Sequence, residues 1–255
     1  MAKLRPVLAA SLVMLASLGF TASAEAGSCP GIAIPAYFYP GTTWTTSTNS
    51  APRVNVMIMN PNSGPGLSQD PQYVQSVKAA QAAGIKVLGY VASAYGDQTI
   101  RPLQMMQSEI DSYKNWYGVD GIFVDEVASS AAFVPQYQQI ANYIRSAKGG
   151  FVMLNPGVVP AASYVNMADT TVVFEDSYAN YLNWVMPTWL SNYPASKITH
   201  LVYATSAAQM PNAVKLGAVR NAGELFVTND KLDNPWDTLP SYWTTELSAI
   251  LTGCK

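Results

Sequence analysis

The stretch GIFVDE, residues 121–126, decides the fold prediction. Its first four residues are small or apolar without interruption, as in a parallel strand covered on both faces, and it ends in two carboxylates. A helical pattern precedes it and ends at Gly118, with apolar residues three or four apart: Leu103, Met106, Ile110, Tyr113 and Tyr117. Another follows it, with one apolar stripe: Phe133, Tyr137, Ile140, Ile144 and Ala147. The stretch is therefore predicted to be a strand between two helices.

The same alternation of strand and helix extends along the chain in both directions. The predicted strands are Ile32–Tyr39, Val54–Asn60, Lys86–Val91, Gly121–Asp125, Phe151–Asn155, Thr171–Glu175, Ile198–Ala204 and Glu224–Thr228. Further helical patterns are predicted at about 70–83, 181–192, 211–221 and 240–251, with weaker segments after the first strand and around 160–168. Eight βα units favour a closed parallel barrel, and no G-x-G-x-x-G motif follows a strand. We predict an α/β fold, a single-domain (β/α)8 TIM barrel.

The N-terminal residues have the features of an export signal. Lys3 and Arg5 precede an apolar stretch that is short for a membrane span of about 20 residues, and Ala22-Ser23-Ala24 provides a small-residue cleavage site. We therefore predict a secretory signal peptide at 1–26, a secreted mature protein, and one barrel domain at 27–255.

Two cysteines, Cys29 and Cys254, lie close to the two ends of the mature chain. A closed barrel brings its first and last elements side by side, and export permits a disulfide. We expect these two cysteines to form one.

The low charge of the chain excludes some classes of partner. The formal net charge is -2 and charged residues make up 12% of the chain, so no basic excess attracts nucleic acid or an anionic membrane. No apolar run after the signal is long enough to cross a bilayer. We expect a monomer with no nucleic-acid or membrane partner.

The residues that end the predicted strands are the candidates for a functional site, because barrel enzymes carry their sites on the loops after strand C-termini. These ends are rich in carboxylates, amides and tyrosines, and they lack His, Cys and Lys. A Ser-His-Asp triad, a zinc or iron site built from His and Cys, and a Schiff-base lysine are therefore excluded. We predict no metal and no cofactor. The single histidine, His200, is predicted to be a core or bottom-loop residue.

Paired carboxylates among aromatic and amide side chains favour cleavage of a glycosidic bond. One acid protonates the leaving oxygen while the other carboxylate attacks or activates water. Aromatic rings stack on sugar faces, and amides bind hydroxyl groups. We predict a polysaccharide substrate. The predicted substrate-binding residues are Tyr37, Tyr39, Asn60, Asn62, Tyr90, Tyr95, Asp97, Asn155, Tyr178, Tyr203 and Asp230.

The geometry of a barrel selects two of the acids. Phe123 and Asp125 share one face of the fourth strand, and Val173 and Glu175 are predicted to share one face of the sixth. Alternate strands contribute to the same interior layer of a barrel. Asp125 and Glu175 are therefore predicted to face each other across the mouth, whereas a bulge at the end of the fourth strand would turn Glu126 inward instead.

Each of these motifs also has a structural interpretation. An acidic pair after a strand, as in Asp125-Glu126 or Glu175-Asp176, is typical of a helix N-cap or a solvated loop. The segment Asn60–Gly66 is compatible with a turn held by Pro and Gly. Two tyrosines are compatible with rim packing, and two aspartates fit turns better than a metal pair: Tyr95, Tyr203, Asp97 and Asp230.

Three motifs together carry a resemblance to a known family. They are Asn60–Gly66 (NPNSGPG), Gly89-Tyr90-Val91 with Tyr95-Gly96, and Gly121–Glu126. This combination resembles the spherulin-4 family, glycoside hydrolase family 135 and its relatives, from about Ile34 to Glu175 and more loosely beyond. The resemblance implies a (β/α)8 barrel that hydrolyses α-1,4 linkages in galactosamine-containing polysaccharides, such as fungal galactosaminogalactan.

The resemblance also implies roles for three acids. Asp125, Glu126 and Glu175 match the family's acidic positions, and by analogy with barrel glycosidases Asp125 is the nucleophile and Glu175 the general acid/base. Glu126 is expected to orient one of these two or to hold a sugar amine. The chain departs from the family at Ala94–Asp97, where Asn or Arg is expected.

The resulting hypothesis is a secreted, endo-acting glycoside hydrolase with a two-carboxylate, retaining mechanism. We expect partial burial to keep Glu175 protonated near neutral pH. The alternative is a non-catalytic cell-wall or carbohydrate-binding protein on the same barrel. A metal-dependent deacetylase is disfavoured because the histidines it requires are missing.

Overall fold

The computed structural model describes residues 30–146 and 150–252. The predicted signal peptide at 1–26 and both cysteines of the predicted disulfide, Cys29 and Cys254, lie outside these residues. Within the described part, no helix has both the length and the hydropathy needed to span a bilayer.

Eight parallel strands form one sheet whose order follows the chain from β1 to β8. They are β1 Ile32–Ala36, β2 Val54–Met59, β3 Lys86–Ala92, β4 Gly121–Asp125, β5 Phe151–Leu154, β6 Thr170–Ser177, β7 Ile198–Tyr203 and β8 Glu224–Val227. A helix follows each strand and covers the outside of the sheet. The predicted (β/α)8 barrel is confirmed.

The covering layer consists of α1 Thr42–Thr48, α2 Pro71–Ala82, α3 Leu103–Ser112, α4 Val134–Ser146, α5 Ala162–Met167, α6 Tyr178–Asn183, α7 Met210–Val219 and α8 Trp243–Thr252. The helix predicted at 181–192 is wrong in its second half, because α6 ends at Asn183 and the chain resumes as a 3-10 turn at Thr188–Asn192. Pro187 lies between the two segments and cannot donate a helical hydrogen bond, so the helix does not continue through it.

Gly89 in the middle of β3 brings helix and sheet into close contact. A Cβ at this position would lie 2.4 Å from Cγ of Tyr113, whose ring is fully buried. Only glycine therefore lets this ring pack flat on the strand. The Gly89-Tyr90-Val91 motif thus has a packing role as well as a position near the mouth.

The barrel seam between β8 and β1 is paired only at its lower end. Gly31 N donates to Gly223 O at 2.8 Å, and Leu225 N donates to Gly31 O at 2.9 Å. Higher up, β1 presents Pro35, which has no N–H to continue the ladder. The Glu246 carboxylate on α8 instead accepts a hydrogen bond from Val227 N at 3.0 Å.

The loop after β8 closes the upper end of the same seam. Trp236 O accepts a hydrogen bond from Tyr37 N at 3.2 Å, so the loop lies directly beside the end of β1. The open ladder therefore places Trp236 at the mouth of the barrel.

A bulge in β6 corrects one step of the sequence argument. The register with β7 shifts between Val172 and Phe174, and Val173 packs in an outer cluster with Val165, Leu190 and Ile198. The prediction that Val173 and Glu175 share a face is therefore wrong, because Val173 is the extra residue of the bulge and has no partner on β7. β4 keeps a regular register with β3 as far as Asp125.

Candidate active site

A cleft of about 480 Å³ opens at the mouth of the barrel, where the C-terminal ends of the strands meet. Asp125 at the end of β4 and Glu175 on β6 both line it. The full lining is Tyr37, Asn60, Asn62, Ser63, Asp125, Glu175, Tyr203, Leu232, Asp233, Asn234, Pro235 and Trp236.

One amide group joins the two acids. Nδ2 of Asn155 donates to Oδ1 of Asp125 at 2.7 Å and to Oε2 of Glu175 at 2.6 Å. Oδ1 of Asn155 accepts a hydrogen bond from Gly157 N at 2.9 Å, which fixes the orientation of the amide. By the triangle inequality, 2.7 Å and 2.6 Å limit the separation of the two carboxylate oxygens to about 5.3 Å. The structure thus brings Asp125 and Glu175 together across the mouth.

Glu175 is held as a weak acid. Its Oε1 accepts a hydrogen bond from Nε1 of Trp236 at 3.2 Å. Burial, followed by the charge of Asp125, raises the pKa of Glu175 to about 7, although the Asn155 and Trp236 donors act in the opposite direction. The carboxyl group therefore carries a proton over much of the range below neutral pH.

Asp125 receives more compensation for its burial. Burial raises the pKa of Asp125, but the backbone N–H of Glu126 and the Tyr90 hydroxyl donate to the carboxylate, as Asn155 does, and these bonds lower its pKa. Two carboxylates this close do not readily both ionise, and the difference in their environments decides which one keeps the proton. The surroundings favour an ionised Asp125 beside a protonated Glu175.

Glu126 turns away from the two acids toward the loop after β3. Its Oε2 accepts a hydrogen bond from Ala94 N at 3.2 Å, and its backbone carbonyl accepts one from Tyr95 N at 2.6 Å. Ala94, Tyr95 and Glu126 all have positive φ angles, 48°, 54° and 52°. Non-glycine residues in this region are strained and cluster at functional sites. Glu126 therefore braces the rim and is not one of the residues lining the cleft.

Ser93 holds this strained turn from below. Its hydroxyl donates toward the backbone carbonyl oxygens of Asp125 and Glu126 at 2.9 Å and 2.8 Å, and lies 2.8 Å from the Tyr137 hydroxyl. Tyr137 also accepts a hydrogen bond from Ala128 N at 2.9 Å. This buried network fixes the end of β4 and hence the position of the Asp125 side chain.

The predicted binding residues divide into three groups. Those that line the cleft are Tyr37, Asn60, Asn62 and Tyr203. Two others support the acids from behind: Asn155, which bridges them, and Tyr90, whose ring packs edge-on against Tyr37 with centroids 5.5 Å apart.

The remaining predicted binding residues lie elsewhere. The Tyr39 hydroxyl donates to Asp70 at 2.8 Å on the outer side of the rim, and Tyr178 accepts a hydrogen bond from Asn212 at 2.9 Å between α6 and α7. Tyr95 is exposed, and its N–H donates to the backbone carbonyl of Glu126. Two aspartates belong to turns, as their structural interpretation expected: Asp97, which accepts two hydrogen bonds from Thr99, and Asp230, whose N–H donates to Thr228.

The sequence prediction missed the segment from Leu232 to Trp236. It follows β8, where the predicted candidates stopped at Asp230, and it supplies five of the residues that line the cleft. The signal available was an Asn-Pro-Trp sequence after the last strand, at 234–236. Ser63 was also missed, although it lies inside the motif Asn60–Gly66.

His200 is fully buried and has no place in the cleft. It lies on the outer side of β7, and its Nδ1 is 2.8 Å from the Tyr181 hydroxyl. Burial lowers the pKa of His200 to about 3, so the ring is neutral. The prediction of a core histidine is confirmed.

Comparisons with known proteins identify the family of the chain. Residues 31–250 match the sequence profile of Spherulin4, the spherulation-specific family 4. The chain is 32% identical over 232 residues to Spherulin-4 of Physarum polycephalum, covering 85% of this chain and 69% of that protein.

Solved structures share the fold. The crystal structure of Aspergillus clavatus Sph3 in complex with GalNAc has a TM-score of 0.75 and 23% identity, covering 88% of this chain and 98% of that one. A GH18 chitinase from Pseudoalteromonas aurantia has a TM-score of 0.55 and 14% identity, covering 85% and 98% of the two chains. The barrel is therefore one that glycoside hydrolases use.

Proposed function

The chain belongs to the Spherulin-4 family, and from this membership and the geometry of its cleft we propose that it is a glycoside hydrolase. Its proposed substrates are polysaccharides with α-1,4-linked galactosamine or N-acetylgalactosamine. The observation that carries the proposal is the pair of acids, Asp125 and Glu175, that share one amide at the mouth and differ in their pKa environment. The GalNAc bound to the related Sph3 supports this class of sugar.

In the first step, Asp125 attacks the anomeric carbon. The bond from that carbon to the glycosidic oxygen breaks, and the oxygen keeps the electron pair while it takes the proton of Glu175. This leaves a glycosyl ester on Asp125, a hydroxyl on the departing sugar and an ionised Glu175. The raised pKa of Glu175, about 7, supports its role as the acid.

In the second step, the ionised Glu175 removes a proton from water, and the resulting hydroxide displaces Asp125 from the anomeric carbon. The configuration is retained because two displacements occur at the same carbon. Retaining enzymes place their carboxyl groups about 5–5.5 Å apart. The limit of about 5.3 Å on the Asp125–Glu175 oxygen separation supports this mechanism over an inverting one.

The other side chains of the cleft suit an amino sugar. Tyr37, Tyr203 and Trp236 offer aromatic surfaces, and Asn60 and Asn62 offer amides for hydroxyl groups. Asp125, Glu175 and Asp233 are acidic, and none of the lining residues is basic. The cleft thus favours a neutral or amine-bearing polysaccharide over an anionic one.

We further propose that the protein is secreted, in accord with its predicted signal peptide and with a polysaccharide substrate too large to enter a cell. The predicted Cys29–Cys254 disulfide belongs to this proposal. Mass measurement of the mature secreted protein, with and without reductant, tests the cleavage site and the disulfide together.

The test of the activity is release of reducing ends from a partly acetylated α-1,4-galactosamine polymer. The wild-type protein is expected to release them, and Asp125→Asn is expected to release at least about 10³-fold fewer per unit time. Sedimentation of protein with the insoluble polymer is measured alongside. Binding by the wild type without any reducing ends would favour the carbohydrate-binding alternative.

A further inference from the structure

A second cleft, of about 300 Å³, lies on the other side of Glu175. Its lining combines apolar side chains, Val158, Val159 and Trp184, with the exposed amides of Asn180 and Asn183 on α6. Glu175 lines both this cleft and the one that contains Asp125. The acid therefore stands at the boundary between two concave surfaces.

The two oxygens of Glu175 have different surroundings. Oε1 is bonded to Trp236, which lines the first cleft. Oε2 is bonded to Asn155 and lies near Gly157, which lines the second cleft; a Cβ added to Gly157 would be 3.9 Å from this oxygen. Because residue 157 is a glycine, it places no side chain against the carboxyl group on that side.

Trp184 is held rigidly at the second cleft. Its ring packs on Phe174 with centroids 5.0 Å apart, stacks on Tyr181 at 6.1 Å, and meets His200 edge-on at 5.1 Å. The Arg220 guanidinium lies 5.6 Å from its centroid. The indole is only partly buried, so a fixed aromatic surface faces the cleft at low cost in side-chain entropy.

We propose that this second cleft is the leaving-group subsite, which binds the sugar residue whose hydroxyl departs; the inference rests on the proposed hydrolysis. A general acid must lie between the sugar that is attacked and the sugar that leaves. The first cleft holds Asp125 and hence the attacked residue. The leaving residue then lies on the far side of Glu175, where Trp184 takes one sugar face and the α6 amides bind hydroxyl or acetamido groups.

The assignment fixes the direction of the bound chain. The non-reducing part extends over the first cleft toward Asn62 and Ser63, which also line a third cleft of about 310 Å³ beside α3. The reducing part extends past Glu175 toward α6. Clefts on both sides of the acids accommodate a chain that is cut internally.

The test compares a substrate that fills the second cleft with one that does not. The first is an α-1,4-linked N-acetylgalactosamine hexasaccharide; the second is the corresponding trisaccharide α-fluoride, whose fluoride leaving group occupies no sugar subsite. Val158→Trp fills the cleft from an exposed position, and Val219→Trp, exposed on α7, is the matched control. Asn183→Ala is a milder second variant on the surface of α6.

Val158→Trp is expected to lower kcat/KM for the hexasaccharide at least tenfold and to change that for the fluoride less than twofold. Asn183→Ala is expected to lower kcat/KM for the hexasaccharide about threefold and to leave that for the fluoride unchanged. Val219→Trp is expected to change kcat/KM for neither substrate. Equal losses of kcat/KM on both substrates would overturn the assignment of the subsite. So would an unchanged kcat/KM for the hexasaccharide in both cleft variants. Failure of the wild type on both substrates would instead refute the proposed hydrolysis itself.

Discussion

The two ends of the barrel each contain a buried glutamate with the same raised pKa. Glu175 at the mouth and Glu224 at the bottom both have pKa values raised to about 7, with burial as the largest cause. Each also accepts a hydrogen bond from an asparagine amide, Asn155 at 2.6 Å and Asn55 at 3.1 Å. The two groups are therefore alike in burial and in this asparagine bond, although Glu175 also accepts a hydrogen bond from Trp236.

What separates them is the neighbouring charge and the space in front of the carboxyl group. Glu175 has a second carboxylate, Asp125, on the same amide and faces a cleft. Glu224 has Lys86 as its charged neighbour, and a Cβ added to Gly31 would lie 2.7 Å from its Oε2. A perturbed pKa therefore reports burial, whereas the paired acid and the opening indicate a site for chemistry.

The largest expected difference is in turnover. Glu175→Gln is expected to lower kcat on the polysaccharide by at least about 10³-fold, because the leaving oxygen loses its proton donor. Glu224→Gln, an identical change in an equally buried glutamate, is expected to stay within twofold of the wild type. Initial rates of reducing-end release, with melting temperatures as the folding control, measure both. Similar losses in the two variants would contradict the distinction between the ends.

The next comparison concerns the two amides. Asn155→Ala is expected to lower kcat about 10²-fold, since it removes the donor that holds both acids. Loss of that donor also raises the pKa of Glu175, so the alkaline limb of the pH profile moves to higher pH. Asn55→Ala is expected to lower the free energy of unfolding by about 1 kcal/mol and to leave the pH profile unchanged. If the alkaline limb of Asn155→Ala lay at the same pH as that of the wild type, the amide would have only a packing role.

A smaller effect is expected in the pH dependence of kcat/KM of the wild type. Glu175 acts as an acid only when protonated, so kcat/KM is expected to fall as the pH rises through about 7, about tenfold per pH unit above it. Asp125 must be ionised, and burial raises its pKa, so the acidic limb lies above the ordinary aspartate value of 3.8. In Glu224→Gln, both limbs of the pH profile are expected to lie at the same pH as in the wild type. A flat profile between pH 6 and 9 would refute the assignment of the acid.

The smallest effect is on stability at the bottom of the barrel. The folded-state pKa of Glu224 is raised, so ionisation opposes folding increasingly from the unfolded-state value near 4.5 up to about 7. Glu224→Gln removes this penalty. The variant is expected to be more stable than the wild type by on the order of 2 kcal/mol at pH 8 and by little at pH 4. Urea unfolding at the two pH values measures the difference, which would be the same at both if Glu224 did not titrate.

Much of the fold could be predicted because each strand carries its own local signal. Residues 121–125 are the same strand in prediction and structure, since the apolar run has glycine on one side and carboxylates on the other. The helix predicted at 181–192 is interrupted before Pro187. The helical spacing of apolar residues continues past this proline, but the backbone cannot stay helical through it. The bulge at Val173 gives no local signal, because it depends on the register with β7.

The site could be predicted only in part, for a related reason. Asp125 and Glu175 each follow an apolar run, and barrel symmetry alone brings the upper ends of such strands together. The bridging position of Asn155 depends on both acids at once and was therefore interpreted as substrate binding. Trp236 reaches the mouth because the β8–β1 ladder stops near Pro35 and the following loop fills the opening. No residue spacing indicates where such a loop will fold back.

The most direct test of the paired-acid account is to trap the glycosyl enzyme with a 5-fluoro-N-acetylgalactosaminyl α-fluoride. The 5-fluoro group slows both displacements, and the good leaving group lets the first proceed faster than the second. Intact mass spectrometry is expected to show one added sugar, and peptide mapping to place it on Asp125. An added sugar on Glu175, or no added sugar in a preparation that hydrolyses the polysaccharide and turns over the fluoride, would contradict the account.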